Sequence, residues 1–196
     1  MKIIGLTGSI GMGKTYTAKM FTDKNIAVFD SDEAVHQLLG LNGAAVDVVE
    51  KEFPGVKIES QIDRKLLGKR VFADDIALKK LEQILHPMVS SMRDDFNKTA
   101  LKNNADMIVV DIPLLFEKGY ESECDYIVVA SAPFEIQKQR VLERPGMSEQ
   151  RFLEILKKQM PDDEKRRRAD FIIQTDKGLD YAKNQVQQVI ETIRKD

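Results

Sequence analysis

The stretch that most restricts the fold lies near the start of the chain, where Gly8-Ser9-Ile10-Gly11-Met12-Gly13-Lys14-Thr15 fits the pattern G-x-x-x-x-G-K-[ST] without a gap. That pattern binds phosphate only between a strand and a helix. Ile3-Ile4-Gly5-Leu6 is short and apolar enough for a buried parallel strand, and Tyr16 to Phe21 is a helix-compatible run without Pro or Gly. Glycines let such a loop curl so that successive N–H groups and the positive end of the helix dipole point into one concavity suited to phosphates. Lys14 would then reach the β and γ phosphates of a nucleoside triphosphate, and Thr15 would offer its hydroxyl to Mg²⁺. Gly8, Gly11, Met12, Gly13, Lys14, Thr15 and the adjoining Tyr16 are therefore the expected nucleotide-binding positions.

A chain of 196 residues, 42% of them hydrophobic, can bury a core of its own and suits one domain with insertions. The net charge of −2 argues against a protein whose main task is to wrap nucleic acid or to lie on an anionic membrane. A single cysteine, Cys124, excludes an intramolecular disulfide and a Cys-based zinc site, and points to a reducing compartment. No stretch approaches the ~18 to 20 apolar residues that a membrane span needs. The first residues read as one lysine and then a core strand rather than a signal peptide, so the expected location is cytoplasmic.

Beyond the first helix, Ala27-Val28-Phe29 is a short β-prone run that stops at Asp30-Ser31-Asp32. In a parallel α/β sheet the end of the second strand shares the ligand-binding edge with the first loop. Asp30 and Asp32 are thus candidates for holding hydrated Mg²⁺ or for taking a proton from an attacking hydroxyl. Capping of the next helix, Glu33 to Leu39, by Asp30 or Ser31 is compatible with chemistry at Asp32. Residues 40 to 105 show no buried strand; helices are expected over Ala44 to Phe53, Leu66 to Phe72 and about Asp75 to Lys102. In the last of these, Ala77, Leu81, Ile84, Leu85, Met88, Met92 and Phe96 keep to one face. Pro87 should kink that helix or start a new one, and His86 beside it is either a packed surface residue or a functional group.

Met107-Ile108-Val109-Val110-Asp111 is an apolar run closed by an acid, the pattern of a central strand whose carboxylate serves Mg²⁺ directly or through water. Tyr126 to Ala130 and Phe171 to Ile173 complete five strands, and the helix Leu179 to Ile193 closes a parallel, doubly wound sheet. Between the last two strands, residues 137 to 168 hold ten Lys or Arg against six Asp or Glu. Arg140 and Arg144 share a helix face, Pro145-Gly146 breaks the chain, and a second helix follows, so the segment reads as a lid that brings guanidinium groups to a transferring phosphoryl and shuts out water. The run Lys165-Arg166-Arg167-Arg168 is either a solvated face or a phosphate contact.

These residues together resemble the bacterial dephospho-coenzyme A kinases over essentially the whole chain. The resemblance rests on Leu6 to Thr15, on Asp30-Ser31-Asp32, on Ile62-Asp63-Arg64 with Leu67 and Phe72, and on His86-Pro87. Asp111-Ile112-Pro113-Leu114-Leu115-Phe116-Glu117 with Cys124-Asp125, and Gln137 with Arg140 and Arg144, extend it through the second half. It implies a P-loop kinase that moves the γ-phosphate of ATP to the 3′-hydroxyl of the ribose of dephospho-coenzyme A, with ATP and Mg²⁺ as the cofactors. It also implies Asp32 as catalytic base, Lys14 and Arg140 as further catalytic groups, Arg144 at the nucleotide, Arg64 and His86 on the acceptor side, and Thr15 and Asp111 at the metal. His36 and Thr175 stand where the family more often has Arg and Asn. The expected organisation is a kinase core of 1–40, 106–136 and 169–196, a helical substrate insertion at 41–105 and a helical lid at 137–168. Its partners would be small molecules, with no nucleic acid and no membrane, and the chain a monomer or weak homo-oligomer. A regulatory GTPase would carry Asn-Lys-x-Asp, which the sequence lacks.

Overall fold

The computed structural model describes residues 1–71 and 74–196. They form two compact units, Met1–Phe29 with Ala100–Asp196, and Asp30–Thr99. The first unit is built on a five-stranded sheet of β1 (Lys2–Thr7), β2 (Ala27–Asp30), β5 (Met107–Asp111), β6 (Tyr126–Ser131) and β7 (Phe171–Gln174), in the order β2-β5-β1-β6-β7. Strand β1 pairs in parallel with β5 and β6, and β6 with β7. All five residues of β5 are buried, as are the last four of β1 and the last five of β6. Strands covered on both faces need continuous apolar runs rather than alternation, which is why these segments stood out in the sequence.

Helices α1 (Lys14–Thr22) and α9 (Leu179–Lys195) share a core with the sheet. In α9, Ala182, Val186, Val189, Ile190 and Ile193 recur every three or four residues and are buried with Met20, Phe21, Ile4 and Leu6. Between β6 and β7 run α6 (Phe134–Leu142), α7 (Glu149–Leu156) and α8 (Asp162–Arg168). Phe152 of α7 is fully buried and stacks on Phe134 with ring centroids 5.9 Å apart.

The second unit is helical. Helix α2 (Ser31–Leu39) starts at Asp30, whose Oδ1 accepts the N–H groups of Asp32 at 2.9 Å and Glu33 at 3.0 Å, so Asp30 is the capping residue of the two that the sequence allowed. Helices α3 (Val46–Glu52), α4 (Arg64–Val71) and α5 (Asp75–Lys102) follow. Phe72, placed by the sequence at the end of α4, lies outside the described residues. The core joins Leu38, Val46, Val49, Phe53, Leu67, Leu81 and Leu85.

A two-residue hairpin, β3 (Lys57–Ile58) with β4 (Gln61–Ile62), lies in the region expected to lack a buried strand; of its residues only Ile62 is buried, so it is an addition the sequence did not announce rather than a buried strand. It is too short to carry a period, and it is held from outside. Glu50 accepts the N–H groups of Gly55, Val56 and Lys57, hydrogen bonds that hold its carboxyl below the usual carboxylate range. Helix α5 runs on through Pro87, so of the two outcomes the sequence allowed, a new helix starting at the proline does not occur. Proline disturbs only the preceding turn. Leu81 and Leu85 before it, and Met88, Val89 and Met92 after it, all pack on one core and hold the helix together.

Candidate active site

The glycine loop leaves β1 at the C-terminal edge of the sheet, the edge where open α/β sheets bind ligands. Gly11 and Gly13 take φ of 79° and 89°, in the left-handed region where a side chain is strained. Space forbids one as well: a Cβ on Gly11 would lie 2.5 Å from Val141 Cγ2, and one on Gly13 would lie 2.9 Å from Thr175 Oγ1. Gly13 serves as the N-cap of α1, so the first free N–H groups of that helix fall at Lys14, Thr15 and Tyr16.

The loop is held from outside by side chains. Ile10 donates its N–H to Gln159 Oε1 at 3.0 Å, and its carbonyl accepts from Gln137 Nε2 at 2.8 Å. The Thr175 hydroxyl donates to the Met12 carbonyl at 2.8 Å. Arg140 in turn donates to Thr175, at 2.9 Å to the hydroxyl and 2.7 Å to the carbonyl, with a longer contact of 3.4 Å to the Gly11 carbonyl. Beside these contacts lies a cavity of about 740 Å³ lined by Ser9, Met12, Gln137, Gln159 and Asp162 among others. Burial pushes the Asp162 carboxyl up, against the hydrogen bond from Ser131 Oγ at 2.6 Å and the nearby charges of Arg166 and Lys165.

The chemistry of the loop centres on an ion pair. Lys14 Nζ donates to Asp111 Oδ1, at the end of β5 and paired in register with Leu6. Asp111 is buried, with its side chain 2% exposed, while that of Lys14 keeps 16%. Thr15 and Tyr16 are exposed on the first turn of α1. The structure thus brings Gly8, Gly11, Met12, Gly13, Lys14, Asp111 and Arg140 around one loop, while Arg144 is exposed just beyond the end of α6.

Asp32, Arg64 and His86 belong to the second unit, and all three are exposed. Asp32 sits in the first turn of α2, Arg64 opens α4, and His86 lies on α5. The basic run is a solvated face at Arg166, Arg167 and Arg168, which are exposed, and departs from that reading only at Lys165. Lys165 is fully buried, its Nζ 2.9 Å from Glu117 Oε1, while Arg167 and Arg168 pair with Glu164. The sequence places Gln159 on the second lid helix, whereas α7 ends at Leu156 and leaves it in the connection, and it marks Thr175 only as a departure from the family; neither reading includes a contact to the loop. Thr175 could have been found, since it directly follows β7 at the ligand edge; Gln159, in a connection between helices, carries no comparable signal.

Residues 2–180 match the family model described as dephospho-CoA kinase. A dephospho-CoA kinase of Mesorhizobium japonicum is 50% identical over 194 residues, covering 99% of this chain and 98% of that protein. The chain belongs to the dephospho-CoA kinase family. Solved structures agree with the assignment. A crystal structure from Thermus thermophilus superposes with a TM-score of 0.84 at 30% identity, covering 97% of this chain and 96% of that one. The dephospho-CoA kinase from Campylobacter jejuni superposes with a TM-score of 0.67 at 27% identity, over 98% and 97% of the two chains. The glycine loop and the parallel sheet are those of a P-loop kinase, and nucleotide use follows from membership of the family. Among the described residues, no helix is long and apolar enough to cross a membrane.

Proposed function

We propose that the chain transfers the γ-phosphate of ATP to the 3′-hydroxyl of the ribose of dephospho-coenzyme A, the last step in making coenzyme A. The observation that carries this reading is the family match over residues 2–180 in a chain whose Lys14 is already paired with the buried Asp111 beneath the loop. The amides from Gly11 to Tyr16 cradle the phosphates, and Gly8 opens the loop against β6. As the nucleotide enters, Lys14 exchanges Asp111 for the phosphate oxygens. Thr15 and Asp111 offer a hydroxyl and a carboxylate, the hard oxygens that Mg²⁺ takes alongside water and substrate phosphates, and they would hold that ion. Held there, such an ion would supply positive charge against the charge that develops on the transferring phosphoryl group.

Asp32 accepts the proton of the acceptor hydroxyl. Phosphoryl transfer proceeds through a loose transition state, so positioning and charge carry most of the rate, and a base adds on the order of 10²–10⁴-fold. Arg140 and Arg144 supply guanidinium charge from the lid segment 137–168; Arg140 does so by exchanging its bonds to Thr175, as Lys14 exchanges Asp111. Arg64 and His86, in the helical segment 41–105, contact dephospho-coenzyme A. We assign the chain to the cytoplasm, as a monomer or weak homo-oligomer.

The test is turnover of Asp32→Asn at saturating ATP with dephospho-coenzyme A as acceptor. The expected loss is on the order of 10²-fold or more. Activity within a few-fold of the parent removes Asp32 from the mechanism. Nucleoside monophosphates offered beside dephospho-coenzyme A check the acceptor, and a preference for a monophosphate overturns it.

A further inference from the structure

We infer that Gln137 and Gln159 are positioning residues, which set the path of the phosphate loop by clasping the two peptide groups that flank Ile10. The inference rests on the loop being the phosphate site. The Ile10 N–H belongs to the Ser9–Ile10 peptide and its carbonyl to the Ile10–Gly11 peptide. One is held by Gln159 at 3.0 Å and the other by Gln137 at 2.8 Å. Fixing both planes fixes φ and ψ at Ile10, and so the direction in which the chain enters Gly11, where φ turns to 79°. The amides of Met12 to Thr15 follow from that entry.

The two glutamines come from opposite ends of the segment that contains α6 and α7. Gln137 is on α6 and 3% exposed. Gln159 lies in the connection between α7 and α8, and the next residue, Met160, donates its N–H to Glu117 Oε1 at 2.7 Å. Glu117 Oε1 is also the oxygen facing the buried Lys165. One end of the clasp is therefore seated in a packed helix and the other on a buried ion pair, so a movement of the segment between them is transmitted to Ile10.

Chemistry dictates which way each amide points. A backbone N–H can meet only the oxygen of Gln159, and a backbone carbonyl only the nitrogen of Gln137. Glutamate at 159 therefore keeps the acceptor that Ile10 N–H needs, whereas leucine removes it. At 137 the order reverses, because glutamate sets an oxygen against an oxygen.

Amide exchange at Ile10 reads the clasp directly. Gln159→Leu should speed that exchange about tenfold, while Gln159→Glu leaves it near the parent rate. The charged variant is read only for exchange, since a carboxylate beside the loop would itself repel phosphates. Nucleotide affinity is read in the neutral variants: Gln159→Leu and Gln137→Leu should each raise KM for ATP about tenfold, and leave KM for dephospho-coenzyme A within about twofold. A variant that is only less stable would lower the melting temperature without this split. The inference is overturned if Glu and Leu at 159 have the same effect on Ile10 exchange, or if exchange quickens while affinity for ATP is unchanged. Failure of the parent to bind ATP would sink the proposed function instead, and the exchange comparison would still decide the clasp. Should the buried position 137 not tolerate leucine, the two variants at 159 decide alone.

Discussion

Two lysines of the sheet unit give up water for a carboxylate, and they do so in opposite ways. At the loop the acid is the sealed partner: Asp111 is 2% exposed while Lys14 retains 16%. At the base of α8 the lysine is sealed, with Lys165 at 0% and Glu117 at 15%. Glu117 is further committed, because the oxygen nearest Lys165 also accepts the Met160 N–H. The first pair has a base that can turn to a new partner. The second is a tie between the segment after β5 and the segment before β7, in which the lysine is sealed and the carboxylate oxygen facing it is already shared with a backbone N–H. In the proposed function the first pair exchanges partners while the second stays a structural tie, and what separates them is whether the lysine or the carboxylate is the sealed partner.

The contrast is sharpest in what each lysine costs when removed. Lys14→Ala should lower turnover at saturating ATP by at least about 10³-fold, or ~4 kcal/mol of barrier, because charge neutralisation carries phosphoryl transfer. Its effect on stability should be the smaller one, since Lys14 covers Asp111 and its removal lets water reach the carboxylate. Denaturant unfolding of Lys14→Ala beside the parent checks this. Lys165→Met should do the reverse, lowering unfolding free energy by ~3–5 kcal/mol, because Glu117, whose Oε2 is buried with no hydrogen-bond partner, is left with an uncompensated charge. Equal stability losses for the two variants would abolish the distinction.

An exposed pair gives the lower limit of the scale. Arg194 Nε lies 2.6 Å from Asp106 Oδ2, with the two side chains 50% and 51% exposed, so Arg194→Ala should cost only ~0.2–1 kcal/mol. The hydrogen bond from Arg194 holds the Asp106 carboxyl below its ordinary value. A carboxylate shifted downward in the folded chain contributes its stability above the unfolded pKa of about 3.9, and loses it as the pH falls through the lower folded value. The stability difference between Arg194→Ala and the parent should accordingly close as the pH drops through that window. A difference that persists in acid would show that packing of the arginine stem, not its charge, is what was lost.

The strands and the ends of α1, α5 and α9 were legible because each rests on a pattern repeated over several residues. Met107 to Asp111 is continuous for burial on both faces, and the stripe from Ala77 to Met92 recurs every three or four positions. What escaped were features held by specific partners rather than by a repeating pattern. The hairpin at 57–62 depends on Glu50, the continuity of α5 through Pro87 depends on apolar neighbours on both sides, and Lys165 turns inward only because Glu117 waits there. In the site, the loop and Asp111 could be read from motif and context, while Gln159 could not, because a glutamine in a connection has no period and no motif.

The sequence by itself determined the local half of this protein: where the chain is extended or helical, that it carries a phosphate-binding loop, and which acid closes the strand next to that loop. These are properties of residues near in sequence, governed by backbone freedom and by the burial of repeating apolar positions. Tertiary structure alone decided which charges are sealed and which are exchangeable, and how the loop is braced. Burial and hydrogen-bond partnership are supplied by residues a hundred or more positions away, as with Ile10 and Gln159 or Met12 and Thr175, and no local pattern records them.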